Sequence, residues 1–428
     1  MDTTATLEWS LLKKLAFRFF FLYFILYIFF NPNGVLPYID NLYGWYITPF
    51  HGIAALIGKH ILNLSQPVST FTNGSGDTTY DNIIILFIVF LSIIGGIIWS
   101  ASDRRTASYG KLFYWLTVVI RYYVAITMLS YGFYKIIKLQ FPFLSLGALI
   151  EPYGNSSPMG LAWNFMGYST GYNYFTGIAE LSCGLLLFFR HTSTLGAIVT
   201  VVVAGNIMAI NYCFDVPVKL LSTSLVLMAL FLLSKDICRL INFFFLNKPA
   251  APSDLSPHRF RKRWKNITLI TLKWGLIIYT VVFDLYGAVQ AEKQYGSKAP
   301  KPPLYGLYDV KTFIVNKDTL KPLTTDTVRW SKLAISYPGN VLIKFMNDST
   351  NYFAFNVDTV KKKIVMNKYT DTAHKYLLTY EQPKKDSLVI WGMFRKDSIK
   401  VNLSRRDAGK FLLVRRGFHW INEYPFNR

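Results

Sequence analysis

The sequence predicts an all-α transmembrane helix bundle of about seven spans, followed by a mostly antiparallel β domain outside the membrane. Three observations predict it. Residues 117–139, 173–189 and 194–233 are long, almost unbroken apolar tracts, of the length that crossing a bilayer requires. The composition is 52% hydrophobic, 17% aromatic and only 16% charged, apolar-rich against soluble averages. From about Tyr305 the apolar period falls from 3.6 residues to 2, the change from helix to strand.

The first span runs from about Leu15 to Phe30 and is short unless Arg18 snorkels to the inner face. Lys13 and Lys14 precede it and Asn31-Pro32-Asn33-Gly34 ends it, with no small-x-small cleavage pattern, so an uncleaved anchor is expected. The remaining spans are expected at 82–99, 113–139, 172–189, 194–213, 217–234 and 267–289. Between the first two, Phe50, Ile53, Ala54, Ile57, Ile61 and Leu64 repeat at helical spacing, which predicts an amphipathic helix lying on the outer interface. Residues 72–81, rich in Gly, Asn, Asp and Thr, read as a lead-in to the second span, and 140–171 as a folded lid against the membrane surface. The stretch 247–266, with Pro249, Pro252, Pro257 and a basic cluster, reads as a linker, and Pro300, Pro302 and Pro303 as a stiff joint. The resulting domains are an N-terminal anchor region at 1–112, a four-helix bundle at 113–245, a basic linker with the last span at 246–299, and the β domain at 300–428.

Charge sets the orientation. Fifteen Lys and Arg border one set of span ends, among them Arg104, Arg105, Arg190, Lys235 and Arg259, against four (Lys59, Lys135, Lys138 and Lys219) on the other. That asymmetry predicts a multi-pass protein of the cytoplasmic membrane with a cytoplasmic N-terminus and an extracytoplasmic C-terminal domain. The net charge is +22, and 25 of the 46 Lys and Arg follow Ala291 against 12 of the 24 acids, which leaves the tail at +13. Lys on exposed strand faces accounts for that excess, as does contact with anionic headgroups. The expected partner is the lipid bilayer, joined by a membrane redox complex or an envelope protein, and no nucleic-acid partner is expected.

In the tail, short alternating runs such as Phe353-Phe355-Val357 and Ile399-Val401-Leu403 are separated by polar turns, with further runs near 308–315, 327–335, 340–346, 362–368, 375–380, 386–393 and 410–416. This spacing predicts an antiparallel sandwich or a small up-and-down barrel. The aromatic end, Phe418, His419, Trp420, Tyr424 and Phe426, is expected to plug or cap that core. Cys183, Cys213 and Cys238 make no Cys-x-x-Cys motif, and no two of the six His share a helix face at ligand spacing, so no protein-built metal or haem site is expected.

The candidate site is an intramembrane polar core. Glu180 lies mid-helix and needs a partner or a proton. Arg121 and Lys135 are candidates, because 14 residues at 100° each place them within about 40° of one helix face. Asn206 and Asn211 extend the polar track along the next span. Asp215, just before Pro217, reads either as part of it or as a helix cap. Lys273 and Asp284 share a face near opposite interfaces, and snorkelling accounts for both. The core reads equally as a site for a quinone headgroup, proton or small polar solute, and as a structural ion pair.

Residues 113–245 resemble the DoxX-like family of small four-helix membrane proteins. The resemblance is carried by Arg121 opening a helix that ends Tyr131-Gly132-Phe133-Tyr134-Lys135, by Gly177-x-x-Glu180-x-x-x-Gly184-Leu185-Leu186-Leu187, and by the following Arg190. It covers about a third of the chain. Members include a subunit of a thiosulfate:quinone oxidoreductase and proteins associated with membrane redox complexes, while many have no assigned activity. The resemblance implies that Arg121, Lys135 and Glu180 form the polar core, and a redox-linked, quinone-associated accessory role. The flanking spans and the β domain depart from the minimal family pattern, so a scaffold presenting the β domain, or a transporter of a small polar solute, stands beside that reading. No catalytic residue is assigned.

Overall fold

The computed structural model describes residues 8–427 other than 34, 36, 37, 39, 71–73, 254 and 257–259, and the side chains at 40, 41 and 372 are also outside the description. Gly34 of the first helix stop, Thr72 and Asn73 of the lead-in, and Pro257, His258 and Arg259 of the linker therefore lie outside the described residues. The chain divides into two compact units, Met1–Phe141 with Ser169–Glu292, and Pro142–Tyr168 with Lys293–Arg428.

The first unit is helical: α1 Leu11–Phe30, α2 Asp40–His60, α3 Thr79–Ser102 and α4 Gly110–Ile136, then, after α5 Pro158–Tyr168 in the other unit, α6 Thr170–Phe188, α7 Ser193–Cys213, α8 Lys219–Ser234, α9 Ile237–Phe244 and α10 Arg263–Gln294. Within it α1 packs on α3, α4 on α6, and α7 on both α6 and α8. Among the described residues four helices, α3, α4, α7 and α10, are long and apolar enough to cross a membrane, fewer than the seven spans the sequence predicts. The physical reasons are local. Helix α1 carries Lys13, Lys14 and Arg18 in its first half. Tyr172, Asn173, Tyr174 and Glu180 dilute the 19 residues of α6. The 16 residues of α8, at about 1.5 Å each, reach only about 24 Å of a core about 30 Å thick.

Two expectations near α1 change. Arg18 does not snorkel. It is buried, and its guanidinium donates to Tyr109 Oη at 3.0 Å, Ser100 Oγ at 2.8 Å and the Asp103 carbonyl at 2.7 Å, tying α1 to the far end of α3 and the start of α4. Helix α2 begins ten residues before Phe50 and ends at His60, leaving Ile61 and Leu64 exposed. Its Tyr43, Ile47, Phe50, Ala54 and Ile57 pack into the core of the unit. An apolar stripe that finds a protein partner buries more area than one laid on headgroups.

In the second unit the strands are β1 Gly306–Val315, the two-residue β2 Asp318–Thr319, β3 Trp330–Tyr337, β4 Gly339–Phe345, β5 Thr350–Asp358, β6 Lys363–Lys368, β7 Asp371–Lys384, β8 Ser387–Phe394 and β9 Asp397–Arg406. The eight long strands pair antiparallel in chain order, and β1 pairs with β9. The sheet is thus a closed up-and-down barrel, and the sandwich alternative is excluded. Period-2 alternation sends Phe353, Phe355, Ile399, Val401 and Leu403 inward, where they meet Phe313, Trp330, Ile343 and Phe394. Closure removes the sheet edges that would otherwise invite pairing with other chains. Residues 410–416 are not a strand: a short helical turn, α11, occupies Leu412–Arg415. The aromatic end does not plug the barrel either, because Phe418, Trp420 and Tyr424 are all more than four-fifths exposed. The segment 142–168, expected as a folded lid, packs on the barrel. Its Leu146 and Ile150 join Leu307, Ala334 and Leu342 in a small core, and Lys344 Nζ donates to the Ile150 carbonyl at 3.0 Å.

Candidate functional site

Close helix approach builds the polar core. An alanine methyl at Gly184 of α6 would lie 2.6 Å from the Ala125 carbonyl of α4, and one at Gly132 would lie 2.9 Å from the Gly177 carbonyl. Small residues thus let two backbones touch, the usual device of packed membrane helices. At that separation Lys135 Nζ of α4 reaches Glu180 Oε1 of α6 at 2.5 Å, with side-chain exposures of 5% and 1%. Among the described residues Glu180 Oε2 has no hydrogen-bond partner, nor does Thr127 Oγ1 further down α4. Lys135 also lies 5.7 Å from the Phe141 ring centroid.

One turn before Lys135, Tyr131 opens onto a cavity of about 310 Å³ that Tyr27, Asn31, Asn33, Tyr43 and Asp81 also line. Its polar groups are held in place. Tyr43 Oη donates to the Phe30 carbonyl at 3.1 Å, Tyr123 Oη donates to the Asn31 carbonyl at 2.7 Å, and the Asp81 carboxylate accepts from Thr78 N and Oγ1 at 2.9 and 2.6 Å. The Tyr131 hydroxyl is bonded to the Asn33 side chain, and Tyr27 to Ser224. Sequence reasoning missed Tyr27, Tyr43, Asn33 and Asp81, which come from the anchor region outside the resemblance. The one available signal was Tyr27 and Asn31 a turn apart at the end of the first span.

The other predicted residues are dispersed. Arg121 does not meet Glu180. It lies in a separate cavity with Arg190 and Lys273, because the intervening turns of α4 hold the two cations about 21 Å apart along the axis. Asn211 is buried and donates to Ser222 Oγ at 3.1 Å and the Val218 carbonyl at 3.3 Å, stapling α7 to α8. Asn206 is exposed on α7 and belongs to no polar track. Asp215 neither joins the core nor caps α8: it sits exposed at φ 51° and pairs with Lys219 at 2.9 Å. Asp77 is the cap, accepting from Lys219 N at 2.7 Å and Leu220 N at 2.9 Å. Asp284 does not snorkel; it is buried on α10 and its Oδ2 has no partner among the described residues. Lys273 Nζ lies 5.1 Å from the Phe189 ring centroid.

Beyond the helix ends, Asp236 accepts from Thr194 Oγ1 at 2.6 Å, Arg239 Nη1 at 2.7 Å and Ser253 Oγ at 3.0 Å. Burial pushes its carboxyl up, but these bonds outweigh burial and hold it below the usual carboxylate value.

No protein-family model matches the sequence, and no solved structure matches it. Over 131 residues, 30% of this chain and 82% of the relative, it is 34% identical to "Uncharacterized protein YwoB" of Bacillus subtilis. The chain belongs to the family of that protein. The relative's name assigns no activity, so this kinship gives common descent and leaves the chemistry to the geometry.

Proposed function

We propose that the chain is a DoxX-like integral protein of the cytoplasmic membrane that serves a membrane redox complex as a quinone-associated accessory subunit. One observation carries the reading: a cavity lined by the Tyr27, Tyr43 and Tyr131 hydroxyls and by Asn31 and Asn33, beside a buried Lys135–Glu180 pair with one orphaned carboxylate oxygen. A volume of about 310 Å³ suits a substituted benzoquinone head. The Tyr131 hydroxyl and the Asn33 amide suit its carbonyl oxygens, since their mutual bond uses only one of their N–H and O–H groups, and Glu180 Oε2 is a proton acceptor near Tyr131. When bound, a quinone would supply two-electron, two-proton redox chemistry. The protein's part is to orient the head through Tyr131 and Asn33 and to keep a proton-accepting carboxylate close by.

The fifteen-to-four asymmetry of Lys and Arg supports a cytoplasmic N-terminus. On this reading the barrel, with segment 142–168 that packs on it, is extracytoplasmic. The test is purification of the full chain from its membranes with identification of bound quinone and co-purifying redox subunits. Bound quinone that disappears in Glu180→Gln or Tyr131→Phe supports the proposal. A quinone-free protein whose deletion leaves membrane electron transfer unchanged overturns it.

A second reading, an envelope scaffold, draws on the barrel. Its interior is filled with side chains, while Phe418, Trp420 and Tyr424, which follow the last strand in the chain, stand exposed. Loss of a specific envelope partner in Trp420→Ala would favour it. The transporter reading has the least support, because Lys135 and Glu180 are engaged with each other and buried.

A further inference from the structure

The cavity around Arg121 has a composition that the quinone reading does not use. It holds about 660 Å³. Arg121, Arg190 and Lys273 line it, and among the described residues no Asp or Glu does. Arg190 is partly engaged, donating through Nη2 to Tyr114 Oη at 2.6 Å and through Nη1 to the Leu255 carbonyl at 3.3 Å. Arg121 is bonded to the Tyr122 side chain, and its buried Nε has no acceptor among the described residues. Lys273 makes no ion pair among the described residues and lies within electrostatic range of both Arg121 and Arg190. Three like charges gathered in a half-apolar cavity repel one another, and an anion entering among them would offset both that repulsion and the part of their desolvation that neutral partners leave uncovered.

The cavity also indicates what kind of anion. Two guanidinium groups and an ammonium match the oxygens of a phosphate. The rest of the wall is apolar, with Val118, Leu269 and Ile270, and Ile270 is more than half exposed on the outer face of α10. Inorganic phosphate would leave that apolar surface unused, whereas a lipid covers it with acyl chains. Helices α4 and α10 have 27 and 32 residues, more than a core about 30 Å thick needs, so their first turns reach headgroup depth. The first turn of α10 also carries Arg263 and Lys265, a basic flank that an anionic leaflet attracts.

We propose that this cavity binds the phosphate headgroup of an anionic membrane lipid, the phosphate held among Arg121, Arg190 and Lys273 and the chains lying on Leu269 and Ile270. The inference is independent of quinone binding, because none of the three cations lines the Tyr131 cavity.

The test is native mass spectrometry of the full chain in maltoside detergent, titrated separately with phosphatidylglycerol, phosphatidylcholine and inorganic phosphate. One phosphatidylglycerol is expected to bind in preference to phosphatidylcholine. Losing one charged contact in Arg121→Gln or Lys273→Gln should weaken it by about tenfold or more. Lys111→Gln, which removes an equal charge from the same end of α4, should change nothing. Thermal melting in phosphatidylcholine nanodiscs checks that each variant folds, and if Arg121→Gln does not, Lys273→Gln decides. Equal retention of the two lipids, or an equal loss in Lys111→Gln, overturns the site in favour of diffuse surface charge. Arg121-dependent binding of inorganic phosphate that displaces the lipid overturns the lipid assignment in favour of a free anion.

Discussion

Lys135 and Glu180 make each other's burial tolerable. Replacing Lys135 by Met leaves a buried carboxylate with no cation beside it, and removing one member of such a pair costs about 3–5 kcal/mol. The melting temperature in detergent should drop sharply for Lys135→Met and recover most of the loss in Lys135→Met with Glu180→Gln. A double variant as unstable as the single one would show that the pair does not act as a unit. Asp236 offers a pH test. Its carboxyl sits below the ordinary value of 3.8 when folded, so its contribution is fully present above that value and disappears as pH falls through the folded value. The stability gap between the native chain and Asp236→Asn should therefore persist from neutrality to about pH 5 and close towards about pH 3. A gap that stays constant across that range would contradict the assignment. At this scale the sequence was partly readable. Mid-helix Glu180 announced that it needed a partner, and helical periodicity offered two cations on one face. Choosing between them depended on how far α6 slides along α4, which no local pattern encodes. Asp77 capping α8 from 142 residues away was invisible for the same reason, since Asp215 had the right spacing and a closer place in the chain.

Helix–helix contact here rests on absent side chains. The backbone carbonyl of Ala125 cannot move aside for a methyl at Gly184 as the end of a flexible side chain would. Gly184→Ala should therefore destabilise the unit by about 1–3 kcal/mol, as overpacking typically does, and should weaken the Lys135–Glu180 pair by spreading α4 from α6. Gly205, with open space around its Cβ position, is the control, and its Ala variant should melt no lower than the native chain. Equal effects at the two positions would contradict a close-packed seam. Element existence and type were legible wherever the apolar period was sustained, as in α3, α4, α7 and α10 and in the alternating strands β5 and β9. The run at 410–416 misled because Phe411, Leu412 and Leu413 mimic a short strand while nothing flanks them to pair with. Helix α2 misled on its partner: the period was right, but amphipathicity says only that a face is apolar and leaves open whether lipid or protein covers it.

Across the whole molecule, hydropathy and charge foretold a membrane-type helical unit and a β unit, and the counts were harder to read. Span number among the described residues fell from seven to four by length and composition, because α1 carries three basic groups, polar groups dilute α6, and α8 is short. Barrel closure was likewise illegible, since whether the first and last strands of a meander pair is a property of sheet curvature and twist. Assignment of segment 142–168 to the barrel unit depended on Leu146 and Ile150 meeting residues almost two hundred positions later, as in the Lys344–Ile150 contact. The proposed quinone site stands or falls with the Tyr131 cavity beside the buried pair. Its most direct test is an equilibrium titration of the detergent-solubilised full chain with a short-tailed ubiquinone analogue, followed by intrinsic fluorescence, in the native chain and in Tyr131→Phe. We predict saturable one-to-one binding, weakened about tenfold by loss of that single hydroxyl. No saturable binding, or identical affinity in the two proteins, would contradict it.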